Sequence, residues 1–346
     1  MQLQCPIPLE DYDAVTMAHG GGGRLSQKLI ESLFVPALGG SRLDELHDGA
    51  RLPRPDGAMA MSTDSFVVRP LFFPGGDIGS LSVHGTTNDL AMCGARPRWL
   101  SLAFVLEEGL RLKDLWRVVA SIREACDALG IEVVTGDTKV VERGKGDGVY
   151  VNTTGIGEVV EGIDVAPRRV RPGDRIVVNG PIADHGMTIL AQRDGLELEG
   201  DLRSDSAALW PLVESCLRPL GADLHCLRDA TRGGIASATN EIAQAAGVGI
   251  VLDEESIPVR EPARAACEIF GLDPLYVANE GRCLAFVAPE RCDALLEAWR
   301  AQPLGREACV IGDVVDTHPR SVRVRSGLGG TRVLDMLSGE QLPRIC

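Results

Sequence analysis

The chain has 346 residues, 45% hydrophobic and 24% charged, the composition of an ordinary globular protein long enough to bury its own core. At about 150 residues per domain this length suggests roughly two domains. A net charge of −14 argues against a nucleic-acid binder but leaves an anionic ligand open, because carboxylates can hold a phosphate through Mg²⁺.

The amino terminus, MQLQCPIPLEDYD, has neither a basic nor an apolar leader segment, and no apolar run approaches the ~20 residues of a membrane helix. A cytoplasmic location with reduced thiols is therefore expected. Residues 1–15 read as a variable extension. Next comes HGGGGR, in which His19, Gly20, Gly21, Gly22 and Gly23 open a helix, LSQKLIESLF, with Leu25, Leu29, Ile30, Leu33 and Phe34 on one face. Bare amides there can approach a phosphate, but the GxxxxGK[ST] spacing is missing, so a hinge and a phosphate contact both fit.

Three stretches then set an aspartate among small polar residues at an expected element end: STDS (Asp64), TTNDLAMCGA (Asn88, Asp89) and TGDTK (Asp137, Lys139). Each aspartate alone reads as a cap or turn; together the three could converge on one Mg-nucleotide, with Lys139 balancing a γ-phosphate. LKDLWRVVASIREACDALG between the last two is an amphipathic helix with Leu115, Val119, Ile122, Cys126 and Leu129 as its stripe and Gly130 as its stop. IEVVTGDTK reads as a strand running into a loop, and VYVNTTGIGEVV as a strand. VAPRRVRPGD marks a junction near residues 165–174.

Beyond the junction the pattern predicts a strand in DRIVVNG, a helix around GMTILAQRDG, a loop LRDATRGG, a helix IASATNEIAQAAG, and strands in VGIVL and CLAFVA. Interleaved helices and strands in both halves give an α/β (α+β) chain of two lobes. Asp229, Thr231 and Arg232 in RDATRGG form either an anion cradle or a capped turn. Glu280 in NEGR is a solvated carboxylate or a positioned base, and His185 in ADHG reads as a loop hydrogen-bonder. Ten cysteines without a CxxC pair count against zinc ribbons, and most read as small buried hydrophobes. Cys346 differs: a terminal side chain is rarely buried, and Ser338 to Cys346 can reach about 26–29 Å when extended.

HGGGGR, STDS, PLFFPGG, GTTNDLAMCGA, TGDTKVV, ADHG, LRDATRGG, NEG and the terminal PRIC, in this order, resemble the HypE family of hydrogenase-maturation carbamoyl dehydratases, over nearly the whole chain from about residue 16. That family shares an ATP-binding fold with aminoimidazole ribonucleotide synthetase, selenophosphate synthetase and thiamine-monophosphate kinase. The resemblance implies an amino-terminal ATP-binding and dimerisation domain over 16–168, a carboxy-terminal domain over 169–337, and a flexible tail over 338–346. It implies a homodimer using ATP and Mg²⁺, and partners in a carbamoyltransferase, HypF, and a HypC–HypD iron scaffold. Cys346 would carry the carbamoyl group, and Lys139 and Glu280 would assist its dehydration. Rival readings are a selenophosphate synthetase, for which Cys5 stands too far from the glycine run, and a non-enzymatic scaffold. The free tail is expected to be weakly nucleophilic, opposed by its own carboxylate, and to be activated only when docked, with Arg344 and any basic partner surface favouring the thiolate.

Overall fold

Behind the glycine run the chain turns helical at α1 (Arg24–Leu29), widens through a π turn (Ile30–Phe34) and ends in α2 (Val35–Leu38). The wide turn rotates the last part of the helix about its axis, so Leu29, Leu33 and Phe34 are buried while Ile30 is 37% exposed, and the single expected stripe is split. The structure, a computed structural model, describes residues 12–40, 42, 43, 47–196, 200–336, 339 and 344–346. Most of the amino-terminal extension, with Cys5, and most of the 338–346 tail lie outside the described residues.

The amino-terminal lobe continues with β1 (Met59–Phe66), a hairpin of β2 (Phe72–Phe73) and β3 (Gly76–Asp77), α3 (Ile78–Met92), β4 (Ala95–Glu107), α4 (Leu112–Leu129), β5 (Glu132–Val141) and β6 (Val149–Val159). Its main sheet has the order β1-β6-β4-β5. Pairing is antiparallel except between β4 and β5, which α4 joins as a crossover. Leu100, Leu102, Phe104 and Leu106 of β4 and Val149, Val151 and Thr153 of β6 face the buried side. The other face is open, with Met59 59% and Met61 70% exposed. α4 follows its sequence pattern: Leu115, Val119, Ile122 and Cys126 are buried, and Gly130 stops it at φ 65°. α3 has no such pattern because nearly all of it is buried; Asp77 caps it by accepting the Gly79 and Ser80 N–H groups at 2.7 and 3.1 Å.

A short turn, Pro167–Arg169, leads to the second lobe. There follow β7 (Arg175–Val178), α5 (Asp184–Asp194), α6 (Trp210–Leu220), β8 (Leu224–Asp229), α7 (Gly234–Ala246), β9 (Gly249–Asp253), α8 (Glu261–Phe270), β10 (Cys283–Val287), α9 (Cys292–Arg300), β11 (Cys309–Val315), β12 (Ser321–Arg325) and β13 (Thr331–Val333). The sheet order is β13-β12-β9-β11-β7-β10-β8, antiparallel except for β9 with β12. Apolar residues of α5, α7 and α8 fill one core, and α6 and α9 fill another that also takes in Ala91 and Met92 from α3. α3 is thus wedged between the lobes, which is why it is buried nearly all round. Among the described residues no helix is long and apolar enough to cross a membrane.

Candidate active site between the lobes

Asn88 on α3 stitches the seam. Its Nδ2 donates to the carbonyls of Ala207 at 3.0 Å and Glu280 at 3.2 Å, and its Oδ1 accepts the Leu209 N–H at 2.8 Å. Those bonds occupy the amide that the sequence offered to a nucleotide, and they hold the NEG turn against the amino-terminal lobe. Inside that turn Asn279 Oδ1 accepts the Ala183 N–H at 2.8 Å, and Asp205 accepts the N–H groups of Glu280 and Gly281 at 3.1 and 3.3 Å. A Cβ on Gly281 would lie 1.9 Å from the Asp205 carbonyl oxygen, so only glycine fits. Arg282 is a wall of the turn: it is buried, donates to the Pro181 carbonyl at 2.6 Å and pairs with Asp205 at 3.4 Å.

Glu280 emerges from this scaffold 3% exposed, with Oε1 buried and without a hydrogen-bond partner. Burial, reinforced by Asp205, Asp229, Asp64 and Asp89, pushes its carboxyl well above the ordinary range. Asp64 lies within β1 rather than at an element end and accepts from Thr86 Oγ1 at 3.1 Å; Asp89, in the last turn of α3, accepts from Ser62 Oγ at 2.6 Å. Burial raises Asp89, with the Asp64 charge adding to it. Asp229 closes β8 and is pushed up to about 7 by burial and by Asp89. Thr231 and Arg232 follow in a turn so tight that a Cβ on Gly234 would stand 2.5 Å from the Leu275 carbonyl oxygen. Four carboxyls from β1, α3, β8 and the NEG turn thus repel one another, an arrangement that a cation relieves.

The end of the tail lies in this seam. Ile345 bridges Val68, the Val67 N–H donates to Cys346 O at 3.0 Å, and the Arg69 N–H donates to Arg344 O at 3.2 Å. Cys346 is partly buried, and its thiol is pushed up to about 12 by burial first and then by the charges of Glu280 and Asp64, with Arg232 pulling it down. Arg344, expected to favour the thiolate, turns instead to Asp147 at 3.0 Å. Docking in this seam therefore holds the sulfur as a neutral thiol instead of activating it, because burial outweighs the nearby positive charge. The nine described cysteines are all free, and six of them are buried as the sequence suggests.

Asp137 does not join this cluster within one chain. It sits within β5, where the strand runs on through Lys139 instead of yielding to a loop, and register places Asp137 beside Ala103 and Asn152, on the open face. Asp64 occupies the row of Thr153, Leu102 and Gly136 on the buried face. The two aspartates lie on opposite faces and on opposite edges of the sheet, three strand spacings or about 14 Å apart, too far to share one ion. Among the described residues no group of three His, Cys, Asp or Glu side chains could hold a metal by itself. Asp137 pairs with Lys139 at 2.8 Å, and that bond holds its carboxyl below the usual range.

The glycine run packs over β5 and roofs a cleft of about 520 Å³. Leu29, Ile30, Phe34, Leu102 and Phe104 wall it, and Gly20, Gly22, Asp137 and Lys139 line it as well. A Cβ on Gly20 would meet the Val140 nitrogen at 2.5 Å, and Gly22 takes φ 73°, so at these two positions glycine is required. His19 is buried and neutral: its Nδ1 accepts the Thr16 N–H at 3.0 Å, and burial lowers its pKa. Sequence reasoning missed Asp205 and Ser204 and took His185 for a bystander; nothing in RSDSAALW signals that this extended stretch lies under the NEG turn.

Family models match in two blocks: AIR synthase related protein, N-terminal domain, over residues 47–159, and AIR synthase related protein, C-terminal domain, over residues 171–325. The carbamoyl dehydratase HypE of Azotobacter vinelandii is 55% identical over 333 residues, which is 96% of this chain and 97% of that protein. Among solved structures, hydrogenase maturation protein HypE in complex with ATP aligns with a TM-score of 0.92 at 48% identity, covering 95% of this chain and 99% of its own. A HypE–HypF complex aligns with a TM-score of 0.79 at 41% identity, covering 89% and 99%.

Proposed function

Since the chain belongs to the HypE carbamoyl dehydratases among the AIR synthase related proteins, we propose that it uses ATP to strip water from a carbamoyl group on its own terminal thiol, Cys346. The product is a thiocyanate whose cyano group becomes a ligand of the iron in a [NiFe]-hydrogenase. The observation that carries this reading is the seat of Cys346, partly buried beside a carboxyl, Glu280, that has an unpartnered oxygen.

A carbamoyl oxygen is a poor leaving group. In this reading it attacks the γ-phosphorus and ADP departs; the C–O bond then breaks, phosphate leaves with that oxygen, and the C≡N bond forms. Two N–H protons are lost, one to phosphate and one to a base. Glu280 is that base. Burial favours its protonated form while the site is empty, and positive charge beside it, from Arg232 or from a cation at Asp64 and Asp89, would favour the carboxylate that accepts the proton. Asp64 and Asp89 fit Mg²⁺ as hard oxygen donors whose mutual repulsion already raises Asp89. Bound there, the ion supplies charge neutralisation for phosphate oxygens.

The nucleotide fits the cleft under the glycine run, whose apolar walls suit a purine and whose bare amides suit phosphates. Asp229, Thr231 and Arg232 serve as the second, interlobe cradle. A second copy of the chain covers the open sheet face around Met61, bringing Asp137 and Lys139 to the seam of a homodimer, where Lys139 balances the γ-phosphate. HypF loads the carbamoyl group, since a close structural relative is a HypE–HypF complex, and a HypC–HypD scaffold receives the cyano group.

The test is intact-protein mass spectrometry of the chain with HypF, carbamoyl phosphate and Mg-ATP, with Cys346→Ala as control. A carbamoyl adduct on the terminal peptide that loses one water only with hydrolysable ATP is the expected result. An adduct that never loses water leaves a carrier without dehydratase activity, and an adduct on another cysteine removes Cys346 from the reaction.

A further inference from the structure

His185 lies at the start of α5, fully buried, and the dehydration chemistry gives it nothing to do. Its Nε2 stands 2.6 Å from the carbonyl oxygen of Ile345, and its Nδ1 stands 2.8 Å from Ser204 Oγ. A carbonyl can only accept, so Nε2 carries the proton. Nδ1 of the neutral ring then accepts from the Ser204 hydroxyl, whose oxygen in turn takes the Ser206 N–H at 3.1 Å. Burial keeps the ring neutral, and Phe73 packs edge-on against it with centroids 5.7 Å apart. With the tail seated, tautomer and ring plane are both fixed.

The mounting is equally rigid. Ala183, two residues earlier, adopts φ 74°, a strained conformation for a residue with a side chain, and is held there by the bond from its N–H to Asn279 Oδ1; the Gly186 N–H donates to the Ala278 carbonyl at 3.1 Å. His185 and Glu280 therefore hang from one turn. The tail is gripped from both lobes: Val67 and Arg69 donate to it on one side, while His185 holds Ile345 O and Arg193 donates to Arg344 O at 2.9 Å on the other. These contacts all go to main-chain atoms of the tail, so they read its path and not its side chains.

We propose that His185 is the positioning residue that seats the tail, its Nε2–H holding the Ile345 carbonyl so that Cys346 faces Glu280. The proposal rests on the dehydratase reading only for what the seated sulfur does; the seat itself is tested without the reaction.

The first readout is the rate at which iodoacetamide alkylates Cys346 in the full chain without nucleotide, followed on the terminal peptide, with the exposed Cys93 as internal reference. His185→Asn keeps a near acceptor in its Oδ1 and removes the far donor; His185→Gln keeps the far donor. His185→Asn is expected to speed Cys346 alkylation about tenfold, which corresponds to ~1.4 kcal/mol, with Cys93 unchanged and His185→Gln close to the parent. Ser204→Ala, which frees the tautomer, is expected to give a smaller rise and serves if the asparagine variant does not fold. Parent rates in both Ser204→Ala and His185→Asn, or in the foldable one of the two, overturn the seat. The second readout is dehydration of the carbamoylated tail: kcat is expected to fall about tenfold in His185→Asn and to recover in His185→Gln, with KM for ATP unchanged. Faster alkylation with unchanged kcat overturns the positioning role. If the parent chain itself never dehydrates its tail, the functional reading fails and alkylation alone decides the seat.

Discussion

Replacing Glu280 by glutamine separates the charge of this carboxyl from its shape. The group is 3% exposed, one of its oxygens has no partner, and burial holds its pKa well above the ordinary 4.5. The folded state thus retains a proton that the unfolded chain releases above 4.5, and stability falls as pH rises from there toward the folded value. The cost of holding that proton grows by about 1.4 kcal/mol per pH unit above 4.5 until the folded group itself ionises. Glutamine is spared that cost, so Glu280→Gln is expected to stabilise the fold increasingly as pH rises above 4.5 and by nothing below pH 4. Urea unfolding at several pH values, with an unchanged m value, measures the difference. The same variant is expected to lose about a thousandfold in dehydration rate while binding ATP normally. A stability difference independent of pH would mean that Glu280 is charged in the folded chain, and the account of its environment would be wrong.

Asn88→Ala removes three hydrogen bonds across the lobe seam and is expected to destabilise by about 2–4 kcal/mol, read as a lower melting midpoint. Asp89→Asn should weaken Mg-dependent ATP binding by about tenfold in calorimetry while the fold still melts cooperatively; unchanged affinity would move the metal elsewhere. Met61→Glu sets a charge on the open sheet face and should shift the chain to monomer in sedimentation experiments, whereas an unchanged mass would put any dimer contact on another surface.

The sequence conveyed most where a periodicity meets a single interface. α4 has one buried face, so its stripe and its glycine stop were legible. α3 has almost no exposed face, so it left no stripe, and Asn88 and Asp89 read as polar residues of an element end, with no sign of the helix that carries both. Asp64 and Asp137 occupy similar STDS and TGDTK contexts, yet strand register sends one to each face of the sheet, a distinction of one residue that composition does not carry. Glu280 stood out by its motif, but its isolation depends on Asp205, 75 residues earlier, whose carboxylate occupies the turn from beneath. His185 was unreadable for a related reason: its partner is the main chain of Ile345, and a backbone carbonyl has no sequence signature.

The seat of Cys346 also constrains the order of events under the proposed function. Moving a thiol from 9.0 to about 12 disfavours its thiolate by about 4 kcal/mol, roughly a thousandfold in population. A thiol that must attack a carbamoyl donor cannot do so from there, whereas a carbamoyl group is neutral and suffers no such penalty in the same surroundings. Burial that suppresses the free thiolate thus discriminates between unloaded and loaded tails by charge alone. Much of the grip is main-chain hydrogen bonds to Arg344, Ile345 and Cys346, each of which water can replace once the tail leaves, while burial of the Ile345 side chain and the Arg344–Asp147 pair are what leaving must give up. Loading then belongs to a tail that is out of the seam, and dehydration to the same tail seated between Val67 and His185, with one sulfur serving both steps.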